Sequence, residues 1–153
     1  MSAVTRLQEL AIALPTPPAP VASYVPYTFS GNQLFISGQI PLKDGKPQFI
    51  GKVGAEISLE NAQAAARLCA INILAQLNAA CDGNLDRVVR CLKLGVFVNA
   101  VPEFTQQPEV ANGASDLMVQ VFGDVGKHAR AAVGVGSLPR GVAVEVDAVF
   151  EIS

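Results

Sequence analysis

The sequence predicts an α/β fold of the α+β type, a sandwich in which helices cover one face of a β-sheet. Two observations carry this prediction. The patterns along the chain follow the order hairpin, helix, strand, helix and two strands, and the final strand alternates apolar with acidic residues. The length of 153 residues suits one domain, so we expect residues 1–153 to form a single unit.

The N-terminal segment, residues 1–20, is predicted to be a helix and a connector within that domain. Residues 4–14 carry apolar side chains at helical spacing. Arg6 and Glu9 make this segment unlike a secretory leader or a membrane span. The helical pattern ends at four prolines, which favour an extended chain: Pro15, Pro17, Pro18 and Pro20.

Two turns follow. Residues 30–32, Ser-Gly-Asn, separate the β-prone residues 27–29 from residues 33–39, and this arrangement predicts a hairpin. Residues 43–47, Lys-Asp-Gly-Lys-Pro, are a turn by composition.

The clearest helix is predicted to begin after Ser58, whose hydroxyl can accept hydrogen bonds from the N–H groups of the first turn. Its alanine-rich segment, residues 59–80, has a partly polar stripe, and Gly83 ends it. A second helix is predicted over residues 109–122, where Gly113 weakens the intrinsic helix propensity.

Three further strands are predicted, over residues 90–98, 131–135 and 142–152. The last two are joined by a short connection, residues 138–141, and we expect them to pair antiparallel. The final strand has one apolar face, and its other face carries Glu145, Asp147 and Glu151. A solvated outer face would explain the same alternation without any function.

Composition limits the partners that we expect. The formal net charge is −2 and the Lys and Arg residues are scattered, so the sequence lacks the basic surface that phosphate-backbone binding requires. We therefore expect neither a nucleic-acid nor a membrane partner.

Half of the residues are hydrophobic and 16% are charged, which favours burial of surface between subunits. A monomer with an alanine- and valine-rich core is the alternative.

The cysteines and the histidine give no indication of a metal site. Cys69, Cys81 and Cys91 form no CxxC pair, and the single histidine, His128, cannot complete a conventional zinc site with them. We expect no cofactor. Three unpaired cysteines and the absence of a leader favour a cytoplasmic protein.

Arg130 and Glu145 are the strongest candidates for chemistry. The expected antiparallel pairing would bring Arg130 near Glu145. A guanidinium can hold a carboxylate through two parallel hydrogen bonds, and a neighbouring glutamate can hold or deprotonate a water. From the pattern alone, an arginine such as Arg130 is more often a surface ion-pair partner than a residue that binds a ligand carboxylate.

The segment from His128 to Val146 resembles the C-terminal motif of the YjgF/RidA family. That motif is approximately Pro-Ala-Arg-Ser, an apolar strand, Leu-Pro, a short turn, an apolar residue and Glu. Arg130 matches the motif arginine and Glu145 the motif glutamate, with the spacing between them preserved.

Other parts of the chain extend the resemblance. Residues 37–41, Ser-Gly-Gln-Ile-Pro, are similar to a second motif of the family. Tyr24 and Asn112 fall where the family has a tyrosine and an asparagine. The match covers most of the chain from about residue 20 to the end.

The resemblance implies a chorismate-mutase-like fold, with helices on one face of a mixed sheet. It also implies a homotrimer whose sheets form a central barrel, with clefts between subunits. In such a cleft Arg130 would bind the carboxylate of a small 2-imino acid and Glu145 would activate water. The residues implied to line the pocket are Tyr24, Ser37, Gly38, Asn112 and Ala132.

Three features depart from the family pattern. His128 occupies a position that is usually proline, and Ala132 one that is often cysteine. The N-terminal helix and connector add ~20 residues to the usual start and can reshape the rim of the cleft. These departures indicate a divergent branch. His128 would sense pH only if it lines the cleft, and otherwise it is polar surface.

Three functions follow as hypotheses. The first is an imine/enamine deaminase that hydrolyses small 2-imino acids to 2-keto acids. The alternative is a non-catalytic or regulatory module that binds 2-keto acids or related small carboxylates. The third is an RNA-cleaving enzyme, a label also attached to the family, which the acidic charge balance disfavours.

Overall fold

A five-stranded mixed sheet and three α-helices form most of the computed structural model, which describes residues 1–17 and 23–153. The strand order in this sheet is β1-β2-β7-β5-β6, and β3 and β4 form a separate two-stranded ribbon. The bounds are α1 Ala3–Glu9, β1 Tyr27–Ser30, β2 Gln33–Gln39, β3 Leu42–Lys43, β4 Lys46–Pro47, α2 Leu59–Ala80, β5 Val88–Asn99, α3 Gln107–Phe122, β6 Ala129–Val135 and β7 Val144–Ile152.

Helix α1 is shorter than the sequence predicts. The Ser2 side chain caps it by accepting a hydrogen bond from the Thr5 N–H. It ends early because the backbone turns left-handed at Ala11, with φ 57°. Ile12 and Leu14, expected inside the helix, pack against the core from the connector instead. Of the proline-rich connector, residues 18–22 lie outside the described residues.

Both predicted turns are confirmed. The hairpin of β1 and β2 turns at Gly31, whose positive φ of 61° costs glycine little because it has no Cβ. The β3–β4 ribbon turns at Asp44 and Gly45, both with positive φ, as a two-residue hairpin loop requires. This ribbon is held to α2 by Asn72, whose Nδ2 donates to the Leu42 carbonyl at 3.1 Å.

The two long helices form as the sequence predicts. Ser58 caps α2, and its Oγ accepts a hydrogen bond from the Asn61 N–H at 3.1 Å. The helix ends at Ala80, and Gly83 follows with a positive φ of 82°. Helix α3 begins two residues before the predicted start, because Pro108 is accepted in the first helical turn, where its missing N–H leaves no bond unmade.

The expected hairpin between the last two strands is wrong. Strand β6 pairs parallel with β5, whereas β7 pairs antiparallel with the other edge of β5 and with β2. A parallel pair needs a crossover connection, and α3 supplies it between β5 and β6. Because β6 occupies one edge of β5, β7 pairs with the opposite edge.

The sheet has one covered face and one open face. Helices α2 and α3 pack on the covered face, where apolar side chains such as Leu94, Val146 and Phe150 are buried. No described helix packs on the opposite side, which we call the open face. In the four longest strands the residues on this face include Phe35, Ser37, Lys93, Gly95, Phe97, Ala131, Val133, Glu145, Asp147, Val149 and Glu151.

Replacing Gly113 by alanine is expected to lower the free energy of unfolding by about 1–3 kcal/mol, the usual cost of overpacking. A Cβ at this position of α3 would overlap the backbone carbonyl oxygen of Gln63 on α2. This penalty opposes the gain of ~1 kcal/mol that alanine brings to a helix interior over glycine.

Urea unfolding of the two proteins measures this difference. Gly136→Ala is the matched control, because a Cβ there would meet nothing within 4 Å and its φ is not positive. A Gly113→Ala protein that is as stable as the wild type would contradict the close approach of α2 and α3.

Candidate functional site

The candidate residues fall into two groups on different faces of the sheet. The first group surrounds Glu145 on the open face, and the second surrounds Arg130 at the edge formed by β6 and α3. Strand register assigns the faces, since paired residues in adjacent strands point to the same side. Glu145 pairs with Phe97 on the open face, whereas Arg130 pairs with the buried Leu94.

Glu145 lies on β7, half-buried, beside an irregularity in β2. Between Ile36 and Gln39 the register of β2 against β7 shifts, and Ser37 and Gly38 both lie opposite Asp147. Gly38 gives the Glu145 side chain its space, because a Cβ at residue 38 would approach within 2.5 Å of Glu145 Oε2. The bulge thus places the backbone of Gly38 directly against a carboxylate.

The pKa of Glu145 is raised, first by burial and second by the neighbouring negative charge of Asp147. Burial likewise raises the pKa of Asp147, although the Gly95 N–H and the Lys93 ammonium act in the opposite direction. Two carboxyl groups with raised pKa values therefore share the open face. The sequence alone indicates Asp147 only as one member of the acidic face of the final strand.

Ser37 connects this group to the segment before β1. Its Oγ donates to the Val25 carbonyl at 2.7 Å and its backbone N–H donates to the Pro26 carbonyl at 2.9 Å. These bonds hold the segment that carries Tyr24, a residue that is 65% exposed. A pocket of about 310 Å³ opens beside it, lined by Val25, Tyr27, Thr28, Phe35, Ile36, Ser37, Lys93, Asp147, Ala148 and Val149.

Arg130 anchors the second group. Its Nη1 donates to Asn112 Oδ1 at 2.9 Å and to Ser115 Oγ at 3.1 Å, both on α3. Within residues 1–17 and 23–153, no carboxylate lies within salt-bridge distance of its guanidinium. The surface ion pair that the pattern also allowed is therefore absent from the described structure, and Arg130 remains exposed.

Asn112, an expected pocket residue, is thus in direct contact with Arg130. Ala132 lies two residues further along β6 on the same side, half-buried against the core. Ser115 was not identified from the sequence. Its position one helical turn after Asn112 could have indicated it, since residues three apart share a helix face.

The two groups are too far apart to act together within one chain. Strand β5 separates β6 from β7, and Arg130 aligns with Ala148, three residues from Glu145. Two strand spacings and three residues place their Cα atoms roughly 14 Å apart, with side chains on opposite faces. The expectation that pairing brings Arg130 near Glu145 is therefore wrong for a single chain.

The three cysteines are unsuited to nucleophilic chemistry. All are buried and free. Burial raises the pKa of Cys69 and Cys81, and it raises the pKa of Cys91 to about 12. Each thiol is consequently protonated at neutral pH and has little nucleophilic thiolate.

No group of three or more His, Cys, Asp or Glu side chains in the described part of the chain is arranged to hold a metal ion. Among the same residues, no helix has both the length and the apolar character needed to cross a bilayer.

Comparison with known proteins identifies relatives over nearly the whole chain. A family model described as "YjgF/chorismate mutase-like, putative endoribonuclease" matches residues 4–146. Protein TCP17 of Trypanosoma cruzi is 53% identical over 148 residues, which are 96% of this chain and 92% of that protein. A RutC family protein of Pyrococcus horikoshii is 33% identical over 132 residues, 86% of this chain and 89% of its own.

The fold has a close counterpart among solved structures. The protein Atu1372 of Agrobacterium tumefaciens, described as having unknown function, is 50% identical and superposes with a TM-score of 0.93. The match covers 99% of this chain and 93% of that one. The helix-covered mixed sheet is therefore shared with a relative of nearly equal length.

Proposed function

Because the chain belongs to the YjgF/chorismate mutase-like family, we propose that it hydrolyses small 2-imino acids, and their enamine tautomers, to 2-keto acids and ammonia. The reaction would take place at a site shared between two subunits. One subunit would contribute the Arg130 group and the next would contribute the Glu145 group.

The observation that carries the proposal is the state of the Arg130 guanidinium. Asn112 and Ser115 both accept from Nη1, and no described residue accepts from Nε or Nη2. Arg130 is exposed, and among residues 1–17 and 23–153 no carboxylate pairs with it. An arginine in this state suits a ligand carboxylate, which can accept two parallel hydrogen bonds from it.

The distribution of the two groups supports a shared site. A small 2-imino acid cannot bridge roughly 14 Å and two sheet faces, so one chain alone presents two incomplete halves. The open face of a second copy can supply the missing half. Its exposed apolar residues, among them Phe35 and Val133, favour burial against another subunit.

Such a contact allows a closed ring. The β6–α3 edge of one copy would meet the open face of the next, which makes the interface heterologous, and a heterologous interface gives a ring when its rotation closes and an open filament when it does not. We propose that the ring is the homotrimer implied by the resemblance, with the open faces lining its centre.

The chemistry needs few groups. The protonated imine carbon C2 is electrophilic, and a water held by the Glu145 carboxylate adds to it while that carboxylate takes one water proton. The C=N π electrons move to nitrogen, and the Glu145 carboxylic acid returns its proton to the amino group of the carbinolamine. The C2–N bond then breaks to release ammonia, and the hydroxyl proton passes to the Glu145 carboxylate as the C=O bond of the 2-keto acid forms. Positioning and electrostatics are sufficient for this step, with Arg130 holding the substrate carboxylate throughout.

Mixing two inactive variants tests the shared site. Arg130→Met and Glu145→Gln proteins, refolded together in equal amounts, are expected to recover about a quarter of the wild-type deaminase activity. In a random mixture about three quarters of trimers contain both variants, and each has one complete site of three. The assay follows loss of an enzymically generated 2-imino acid, with each variant refolded alone as the control. A mixture as inactive as its components would contradict a site shared between subunits.

The acid limb of the pH–rate profile is expected to move to lower pH in Asp147→Asn. Water activation needs the ionised Glu145 carboxylate, so the rate falls as the pH decreases through its pKa. Burial and the Asp147 charge both raise that pKa, and the variant removes the second cause, which lowers it. Measuring kcat/KM against pH reports the shift. Glu151→Gln, on the same strand and face, is the control, and an unmoved limb in Asp147→Asn would contradict the role of Glu145.

A further inference from the structure

The Arg130 group continues beyond Ser115 to His128. Ser115 Oγ, which accepts from Arg130 Nη1 at 3.1 Å, lies 2.8 Å from His128 Nε2. On the other side of the ring, His128 Nδ1 lies 2.7 Å from the carbonyl oxygen of Gly126. Four groups from β6, α3 and the turn between them thus form one continuous chain of hydrogen bonds.

The chemistry of the end groups determines which atom donates in each of these hydrogen bonds. A carbonyl oxygen can only accept, so His128 Nδ1 must carry a proton and donate to Gly126. In the neutral imidazole Nε2 is then an acceptor, and it receives the Ser115 hydroxyl proton. The lone pairs of Ser115 are thereby directed to Arg130, which donates to them. The reverse direction would place an unprotonated Nδ1 against the carbonyl oxygen.

We propose that His128 is a positioning residue that, as the neutral Nδ1–H tautomer, orients the Ser115 hydroxyl and so holds Arg130 ready for a carboxylate. This inference rests on the proposed function for what Arg130 binds. Arg130 lies on an edge strand and is exposed, and its contacts with α3 restrict its side chain in the free protein. A side chain that is already restricted loses less conformational entropy when the ligand binds.

Nitrogen NMR of the imidazole tests the hydrogen-bond chain without any activity assay. His128 is the single histidine of the chain, so protein grown with ¹⁵N-labelled histidine gives the signals of one ring. At a pH at which the ring is neutral, the protonated nitrogen is expected to be Nδ1. In Ser115→Ala, where the donor to Nε2 is lost, the Nε2–H form is expected to gain population. A wild-type ring protonated at Nε2 would overturn the proposal.

Calorimetry with 2-ketobutyrate, which represents the carboxylate product, tests the consequence for Arg130. His128→Phe and Ser115→Ala each remove one link and are expected to weaken binding about five- to tenfold, the effect of one lost hydrogen bond. His128→Gln, whose amide oxygen can accept the Ser115 proton, is expected to stay within about twofold of the wild type. Thermal unfolding of each variant confirms that it is folded.

Steady-state kinetics adds a second measurement. Arg130 holds the carboxylate in the ground state and in the transition state alike, so the loss is expected in KM, with kcat changed by about twofold at most. Wild-type protein that binds 2-ketobutyrate no better than His128→Phe would overturn the positioning role alone. Wild-type protein that neither binds nor turns over substrate would instead overturn the proposed function, while the tautomer measurement would still decide the hydrogen-bond chain.

Discussion

Replacing Arg130 by methionine is expected to lower kcat/KM for a small 2-imino acid by about 100-fold or more. In the proposed site the variant would remove two parallel hydrogen bonds to a charged carboxylate, and each such bond contributes about 1.5–3 kcal/mol. Methionine retains much of the aliphatic length, so the change isolates the guanidinium. Asn112 and Ser115 lose their donor, but both are near the surface and can be solvated by water.

The measurement is the rate of imine loss above the spontaneous rate, together with 2-ketobutyrate binding by calorimetry. Both are expected to fall. Arg87→Met is the matched control, because the Arg87 guanidinium contacts Asp82 at 3.6 Å and the Ser153 carbonyl oxygen at 3.1 Å, outside both candidate groups. An Arg130→Met protein as fast as the wild type would show that the carboxylate is bound elsewhere.

Replacing Glu145 by glutamine is expected to lower kcat by about 10²- to 10⁴-fold, the usual contribution of a general base. The amide has nearly the same shape, so it fits beside Gly38, but it cannot take a proton from water. Binding of 2-ketobutyrate is expected to survive, because in the proposed shared site the ligand carboxylate would be held by Arg130 of another subunit. This separation of binding from turnover distinguishes the two proposed roles.

Glu151→Gln is the matched control for this experiment, since Glu151 lies on the same strand and face of β7. The same assays distinguish the deaminase from the binding module and from the RNA-cleaving enzyme. Wild-type protein that binds 2-ketobutyrate but never exceeds the spontaneous rate of imine loss would favour the binding module. RNA cleavage that survives rigorous removal of contaminating nucleases and disappears in Glu145→Gln would favour an RNA-cleaving enzyme.

Local patterns were sufficient to predict most of the elements. The Ser58 cap, the alanine-rich α2 and the two glycine turns depend on interactions between residues a few positions apart, which a sequence displays directly. The alternation along β7 likewise predicted its two faces, because side chains in a strand point to opposite sides. The end of α1 was predicted less well, since the left-handed backbone at Ala11 has no signal in its side chain.

The relation between Arg130 and Glu145 required the three-dimensional fold. Their spacing in the sequence suggested a hairpin, but strand neighbours are set by long-range packing, and β5 takes β6 on one edge and β7 on the other. Residue types and motif spacing thus identified the two candidate residues and predicted the helix-covered sheet. The order of strands and the register between them put those residues on opposite faces, because pairing and side-chain direction depend on contacts between distant segments.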